Sequence, residues 1–123
     1  MDKSFEKGCV LIVGGSGGIG SLCAHEFARS GARVVITYYK NEQAAIEVAK
    51  DINHDVQIYQ LDNSDPKSVE ETFQKVVNDH GFINTLVNAA GFDIPQKFIS
   101  EIDIDLWKGV IDADINGFFN LIK

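Results

Sequence analysis

Residues 13–21 read VGGSGGIGS, and five of these nine positions are glycine. Glycine weakens regular structure, so such a run marks a backbone that must turn tightly or approach something closely. Gly14, Gly18 and Gly20 stand at the spacing Gly-x3-Gly-x-Gly, after the apolar run CVLIV and ahead of a helical pattern. In that setting each glycine has its own task. Gly14 permits the turn out of a strand, Gly18 leaves room for a pyrophosphate, and Gly20 lets the helix pack close. The helix N-terminus adds unpaired N–H groups and the positive end of its dipole. Ser16 offers a hydroxyl donor beside them. The competing reading is a glycine corner that serves packing alone.

Three later stretches carry polar or small residues that suit the same ligand. Thr37-Tyr38-Tyr39-Lys40 follows a second apolar run, with no carboxylate between Arg33 and Asn41. An acid there would take the ribose 2′-hydroxyl of NAD, whereas a cation accommodates the 2′-phosphate of NADP. Lys40 therefore favours NADP(H) over NAD(H), against its reading as a solvated charge. Asp62-Asn63 could hydrogen-bond an adenine edge or simply end a strand in a turn. In Asn88-Ala89-Ala90-Gly91 the small residues let a cofactor lie against the backbone, and Asn88 can tie neighbouring strands. His25, His54 and His80 lack partners at metal-ligand spacing. Asp93, Glu101, Asp103, Asp105, Asp112 and Asp114 read as caps, loop residues and the solvated side of a helix start.

The elements that must hold these residues alternate. Strands are predicted at 9–13, 33–39, 55–61 and 83–87. Between them lie a helix over 18–30, with Ile19, Leu22, Cys23 and Phe27 at helical spacing and Gly31 as its C-cap, and a helix over 41–53 carrying Ala45, Val48, Ala49 and Ile52. A third begins at Pro66 behind an Asp65 cap, carries Val69, Phe73, Val76 and Val77, and stops near Gly81. The order β-α-β-α-β-α-β predicts an α/β, Rossmann-like parallel sheet with helices on both faces, the first half of a doubly wound fold, in one domain over 1–123. Residues 106–123 are apolar nearly all round. A helix of that kind expects burial against the sheet and against something else.

Composition narrows the class. The chain has 123 residues, 45% hydrophobic and 24% charged, with a net charge of -7. That balance fits an ordinary folded domain and opposes nucleic acid or an anionic membrane as partner. CVLIV is too short for a signal or spanning segment. Cys9 and Cys23 read as free thiols and no CxxC occurs, so a cytoplasmic setting is expected.

With these residues in place, the chain resembles the N-terminal part of the short-chain dehydrogenase/reductase family from Gly8 to Lys123. Four features arrive in order: Gly14-x3-Gly18-Ile19-Gly20, Asp62, Asn88-Ala89-Ala90-Gly91, and Asn116. The resemblance implies that the glycine turn binds pyrophosphate, that Asp62 binds adenine and that Asn88 stabilises the central sheet. It also implies that Asn116 is the tetrad asparagine, which holds a water in the proton relay. The activity implied is hydride transfer between NAD(P)(H) and a carbonyl or alcohol substrate. VVITYYKNEQAA is most similar to the 3-oxoacyl-carrier-protein reductase subgroup. The helix at 106–123 resembles the family's subunit-interface helix and implies a homo-oligomer, a dimer or tetramer.

Some positions depart from that pattern. Val13 replaces the family's threonine, whose hydroxyl steadies the turn, and Gly17 replaces the basic residue that many NADP users carry. The family's proton donor is a tyrosine with a lysine four residues later. Tyr38, Tyr39 and Tyr59 are followed at that spacing by Glu42, Gln43 and Asn63. The chain thus reads as the cofactor-binding half of such an enzyme, inactive by itself. The alternatives are a non-catalytic nucleotide-binding or oligomerising module and a methyl-donor-binding Rossmann-like domain.

Overall fold

The computed structural model describes residues 5, 7–52 and 55–123. Its sheet has four parallel strands: β1 (Cys9–Val13), β2 (Val34–Tyr38), β3 (Gln57–Gln60) and β4 (Ile83–Asn88), in the order β3-β2-β1-β4. Three helices connect them: α1 (Gly18–Arg29), α2 (Glu42–Ile52) and α3 (Pro66–His80). Every residue of β1 is buried. Successive side chains of a strand point to opposite faces, and β1 divides its residues accordingly. Cys9, Leu11 and Val13 pack with Val69 and Val76 of α3, while Val10 and Ile12 pack with Ala24 and Ala28 of α1 and Ala45 of α2. Helices therefore cover both faces, as the alternation predicts.

The packed side of α1 differs from the expected one. Gly20, Ala24 and Ala28 are its buried residues, whereas Ile19 is 75% and Leu22 67% exposed. Small residues four apart bring the helix axis close to the sheet. Cys23 and Phe27 pack only along the flank, and Gly31, at φ 87°, ends the helix through a bond from its N–H to Ala28 O.

At α2 the Asn41 side chain caps the start by accepting from the Ala44 N–H at 3.0 Å. The predicted end of this helix at residue 53, and His54, lie outside the described residues. β3 is shorter than its sequence run because it is an edge strand, paired only with β2. At α3, Asp65 accepts from the Lys67 N–H at 3.0 Å and Pro66 opens the helix, as predicted. Val69, Thr72 and Val76 are buried there, while Val77 turns outward. β4 forms the other edge, so its outer backbone groups have no strand neighbour among the described residues.

The last predicted helix is present but interrupted. α4 (Ile104–Val110) is capped by Asp103, whose carboxylate accepts from the Leu106 N–H at 2.8 Å. A π-helical segment (Ile111–Asn116) follows, then α5 (Gly117–Ile122). Only one side is covered: Leu121 enters the α3-side core, while Trp107, Ile115, Phe118, Phe119 and Ile122 are all about half exposed.

The end of α3 carries a pH-sensitive group. Burial, and then the nearby Arg33 cation, hold His80 below its ordinary value of 6.5. A neutral imidazole is thus favoured by the fold, and the unfolded chain takes up its proton first. Stability from this group is complete above pH 6.5 and falls as the pH drops below it. Acid titration of the melting temperature should show this loss, and His80→Gln should flatten it. An equal loss in the variant would contradict the assignment.

Candidate functional site

The strand ends meet at one edge. Gly14 takes φ 76°, and a Cβ there would lie 2.7 Å from Ala90 N and 2.8 Å from Ala90 Cα. Only a glycine lets the exit from β1 pass so close to the turn after β4. A Cβ on Gly20 would lie 2.8 Å from the carbonyl carbon of Gly14, and closer still to its oxygen. The first turn of α1 therefore rests directly on the glycine turn. Gly18 is the opposite case: a Cβ there would meet nothing within 4 Å. Space is open at Gly18, and a Cβ at Gly17 would make only an ordinary contact with Gly14 O at 3.5 Å, whereas Gly14, Gly15 and Gly20 have no room for one.

Two residues that sequence reasoning missed hold this turn. Thr37 is 1% exposed, and its Oγ1 accepts from the Gly14 N–H at 3.2 Å while its carbonyl accepts from the Gly15 N–H at 3.0 Å. It supplies from β2 the steadying hydroxyl that Val13 lacks. The signal was a lone hydroxyl within the buried run of β2, since a buried polar group needs a partner. Gly15 is the second, for a Cβ there would lie 2.5 Å from Ile36 Cβ.

The N-terminus of α1 is uncapped. Its N-cap, Gly17, makes no side-chain cap, and the first turn has no acid. The leading amides of the helix are left without intrahelical partners, next to the open space at Gly18.

Beside this turn lies a cavity of about 550 Å³, within the range of about 300–1,000 Å³ usual for small-molecule sites. Of the residues predicted from sequence, it gathers Gly14, Tyr38, Lys40, Asp62, Asn63, Ala90 and Gly91. Gly109, Asp112 and Ala113 close its far side. Ser16, Gly18, Ile19, Gly20, Asn88, Ala89 and Asn116 are not among its lining residues. A second hollow of about 510 Å³ lies against β3 and α3 and contains none of the glycines.

Several polar residues of the predicted site already have partners within the chain. Asp62 Oδ1 accepts from the Ser64 N–H at 3.0 Å and the Ser64 hydroxyl at 2.6 Å, the turn geometry weighed against adenine binding. Asn63 Nδ2 donates to Ala113 O at 3.2 Å. Asn88 Oδ1 accepts from the Ala90 N–H at 3.3 Å within its own turn, and the strands are joined there by the backbone bond from Ala89 N–H to Val13 O at 2.8 Å. Lys40 Nζ lies 5.1 Å from the Tyr39 ring centroid, a cation–π pair at the cavity mouth. Desolvation, then the Glu42 carboxylate to which it is hydrogen-bonded, push the Tyr38 hydroxyl up.

Asn116 points along its own helix. Its Nδ2 donates to Asp112 Oδ1 at 2.8 Å. From the same segment it is Asp114 that reaches the turn after β4, where its Oδ1 accepts from the Phe92 N–H at 2.9 Å. Among the described residues, no group of three or more His, Cys, Asp or Glu side chains is placed to hold a metal ion.

A parallel sheet with a glycine turn at the exit of its central strand, opening on a cavity at the strand ends, defines a Rossmann-type nucleotide fold. The chain belongs to the short chain dehydrogenase family, whose family model matches residues 8–123. It is 28% identical to an "uncharacterized oxidoreductase" of Staphylococcus epidermidis over 123 residues, covering all of this chain and 52% of that protein. It is 29% identical to sulfoacetaldehyde reductase 2 of Chromohalobacter salexigens over 114 residues, covering 91% of this chain and 45% of the other. The fold is similar to that of a mutant short-chain dehydrogenase/reductase of Serratia marcescens, with a TM-score of 0.83 and 26% identity over 94% of this chain and 49% of that one. A "putative betaketoacyl-ACP reductase" gives the same TM-score of 0.83 at 30% identity, over 96% of this chain and 47% of its own. The chain thus spans about half the length of the relatives it matches.

Proposed function

We propose that this chain is the cofactor-binding part of an NAD(P)(H)-dependent short-chain oxidoreductase that transfers hydride between nicotinamide and a carbonyl or alcohol. The observation that carries the reading is the space at Gly18, where a Cβ would meet nothing within 4 Å, beside an uncapped helix start. When bound, the dinucleotide supplies or accepts the hydride. The amides of Gly18, Ile19 and Gly20 hold its pyrophosphate, with the Ser16 hydroxyl beside them. Asp62 takes the adenine end. Ala89, Ala90 and Gly91 present a low floor behind Asn88.

Lys40 at the end of β2, with no carboxylate there, supports NADP(H) over NAD(H). None of the tyrosines present is suited to protonating a substrate oxygen. Burial, then a hydrogen bond to Asp79, push Tyr59 up to about 12, far from the range in which a general acid works near neutrality. Tyr38 is raised by desolvation and Glu42, and Tyr39 lies beneath Lys40. These 123 residues bind the dinucleotide and do not by themselves reduce a carbonyl. Trp107, Phe118, Phe119 and Ile122 form the apolar face through which copies associate. That same face favours the second reading, a non-catalytic nucleotide-binding or oligomerising module. Among the described residues, no helix is long and apolar enough to cross a membrane.

Fluorescence titration with NADPH and NADH tests the cofactor preference. NADPH is expected to bind more tightly, and Lys40→Glu to abolish the difference. Equal affinities in the unsubstituted chain would overturn the preference, and no binding by either at about millimolar concentration would overturn the site.

A further inference from the structure

Asn63 sits on the cavity wall, yet its side chain is committed elsewhere. In an α-helix the Gly117 N–H would bond the carbonyl four residues back, at Ala113. Here it bonds Asp112 O instead, five residues back, which is what makes the segment π-helical. The Ala113 oxygen that Gly117 has given up accepts from Asn63 Nδ2 at 3.2 Å. The attachment is returned, since Asn120 Nδ2 donates to Asn63 O at 2.9 Å. Gly117 makes room for it. A Cβ at that position would lie 2.6 Å from Asn63 Nδ2 and 2.7 Å from Asn63 Cγ. One side-chain amide therefore replaces a helical hydrogen bond and occupies the gap that a glycine leaves open.

We propose that Asn63 is a positioning residue that holds the π segment in its bulged register and so fixes the cavity wall formed by Gly109, Asp112 and Ala113, rather than a ligand of the nucleotide. Asp114, the next residue along, is fastened to the turn after β4 through the Phe92 N–H at 2.9 Å. The π segment is thus pinned at consecutive residues from the ends of β3 and β4. A π-bulge costs helix geometry, and these two side-chain bonds offset that cost where the wall must stand. The clamp itself is a property of the unliganded chain. Only its effect on affinity rests on the dinucleotide reading.

Hydrogen exchange of the unliganded chain tests the clamp directly. In Asn63→Ala the amides of 111–121 are expected to exchange about tenfold faster, the effect of losing one part-buried bond and leaving a carbonyl without its partner. Gly117→Ala should speed the same amides despite alanine's better helix propensity, because its Cβ strikes the Asn63 amide. In the double variant the alanine meets open space, so the second substitution adds little. Unchanged exchange in Asn63→Ala, or fully additive effects, would overturn the clamp.

Asn63→Asp separates positioning from ligation. The aspartate keeps an acceptor for an adenine amino group but loses the donor to Ala113 O and sets a carboxylate against that carbonyl. NADPH affinity is expected to fall about 3- to 10-fold in Asn63→Asp, as in Asn63→Ala. Retained affinity in the aspartate variant with loss in the alanine variant would show Asn63 to be a nucleotide ligand and overturn the proposal. If the unsubstituted chain binds no NADPH, the dinucleotide reading fails while the exchange result still decides the clamp.

Discussion

Gly20→Ala is expected to destabilise the fold by about 3 kcal/mol or more, whereas Gly18→Ala, two residues earlier on the same helix, is expected to leave it intact. The contrast follows from what each new methyl group meets. At position 20 it strikes the backbone of Gly14 and Gly15, which no side-chain rotation can relieve. Either α1 lifts from the turn or the turn deforms, and the Gly14 contact with Ala90 goes with it. A loss of that size is a large part of the roughly 5–15 kcal/mol that stabilises a typical domain. At position 18 the methyl meets nothing, and alanine is the better helix former by about 1 kcal/mol. Thermal melts should therefore be unchanged or higher in Gly18→Ala. Dinucleotide affinity should nonetheless fall at least about tenfold, or about 1.4 kcal/mol, because the methyl takes the space proposed for the pyrophosphate. Unchanged affinity in that variant would mean that the gap at Gly18 is not where the phosphates lie.

The second large effect belongs to the scaffold. Leu11 is fully buried at the centre of β1 and packs in the core that joins α3 to Leu121 of α5. Leu11→Ala is expected to cost about 2–5 kcal/mol, by lost burial and by the cavity left behind. Chemical denaturation would read this as a lower midpoint at constant slope. The dinucleotide affinity of the molecules that remain folded should not change, since Leu11 is not among the residues lining the cavity. A loss of affinity matching the loss of stability would instead tie the site to the whole core.

How far the sequence revealed these features depended on how local their causes were. The strand–helix alternation, the Asp65 cap with Pro66, and the C-terminal glycines at 31 and 81 are set by neighbouring residues, and all are present in the structure. The glycine spacing was legible for the same reason. The packed face of α1 was not, because apolarity pointed to Ile19 and Leu22 while close approach to the sheet selected Gly20, Ala24 and Ala28. Thr37 is separated from Gly14 by 23 positions, so their bond could not be read from either stretch alone. The π segment was equally hidden. Its register depends on Asn63, which lies 50 residues before Ala113 and which residue type alone left as an adenine contact or a turn former.

The glycine turn is the proposed phosphate cradle, and hydrogen exchange with and without saturating NADP is the most direct test of it. The amides of Gly18, Ile19 and Gly20 begin α1, so they lack intrahelical partners and should exchange quickly in the free chain. With the nucleotide bound they should be strongly protected, more than the amides of α2 or α3. Binding that leaves those three amides unprotected while protecting another region would contradict the assignment of this turn.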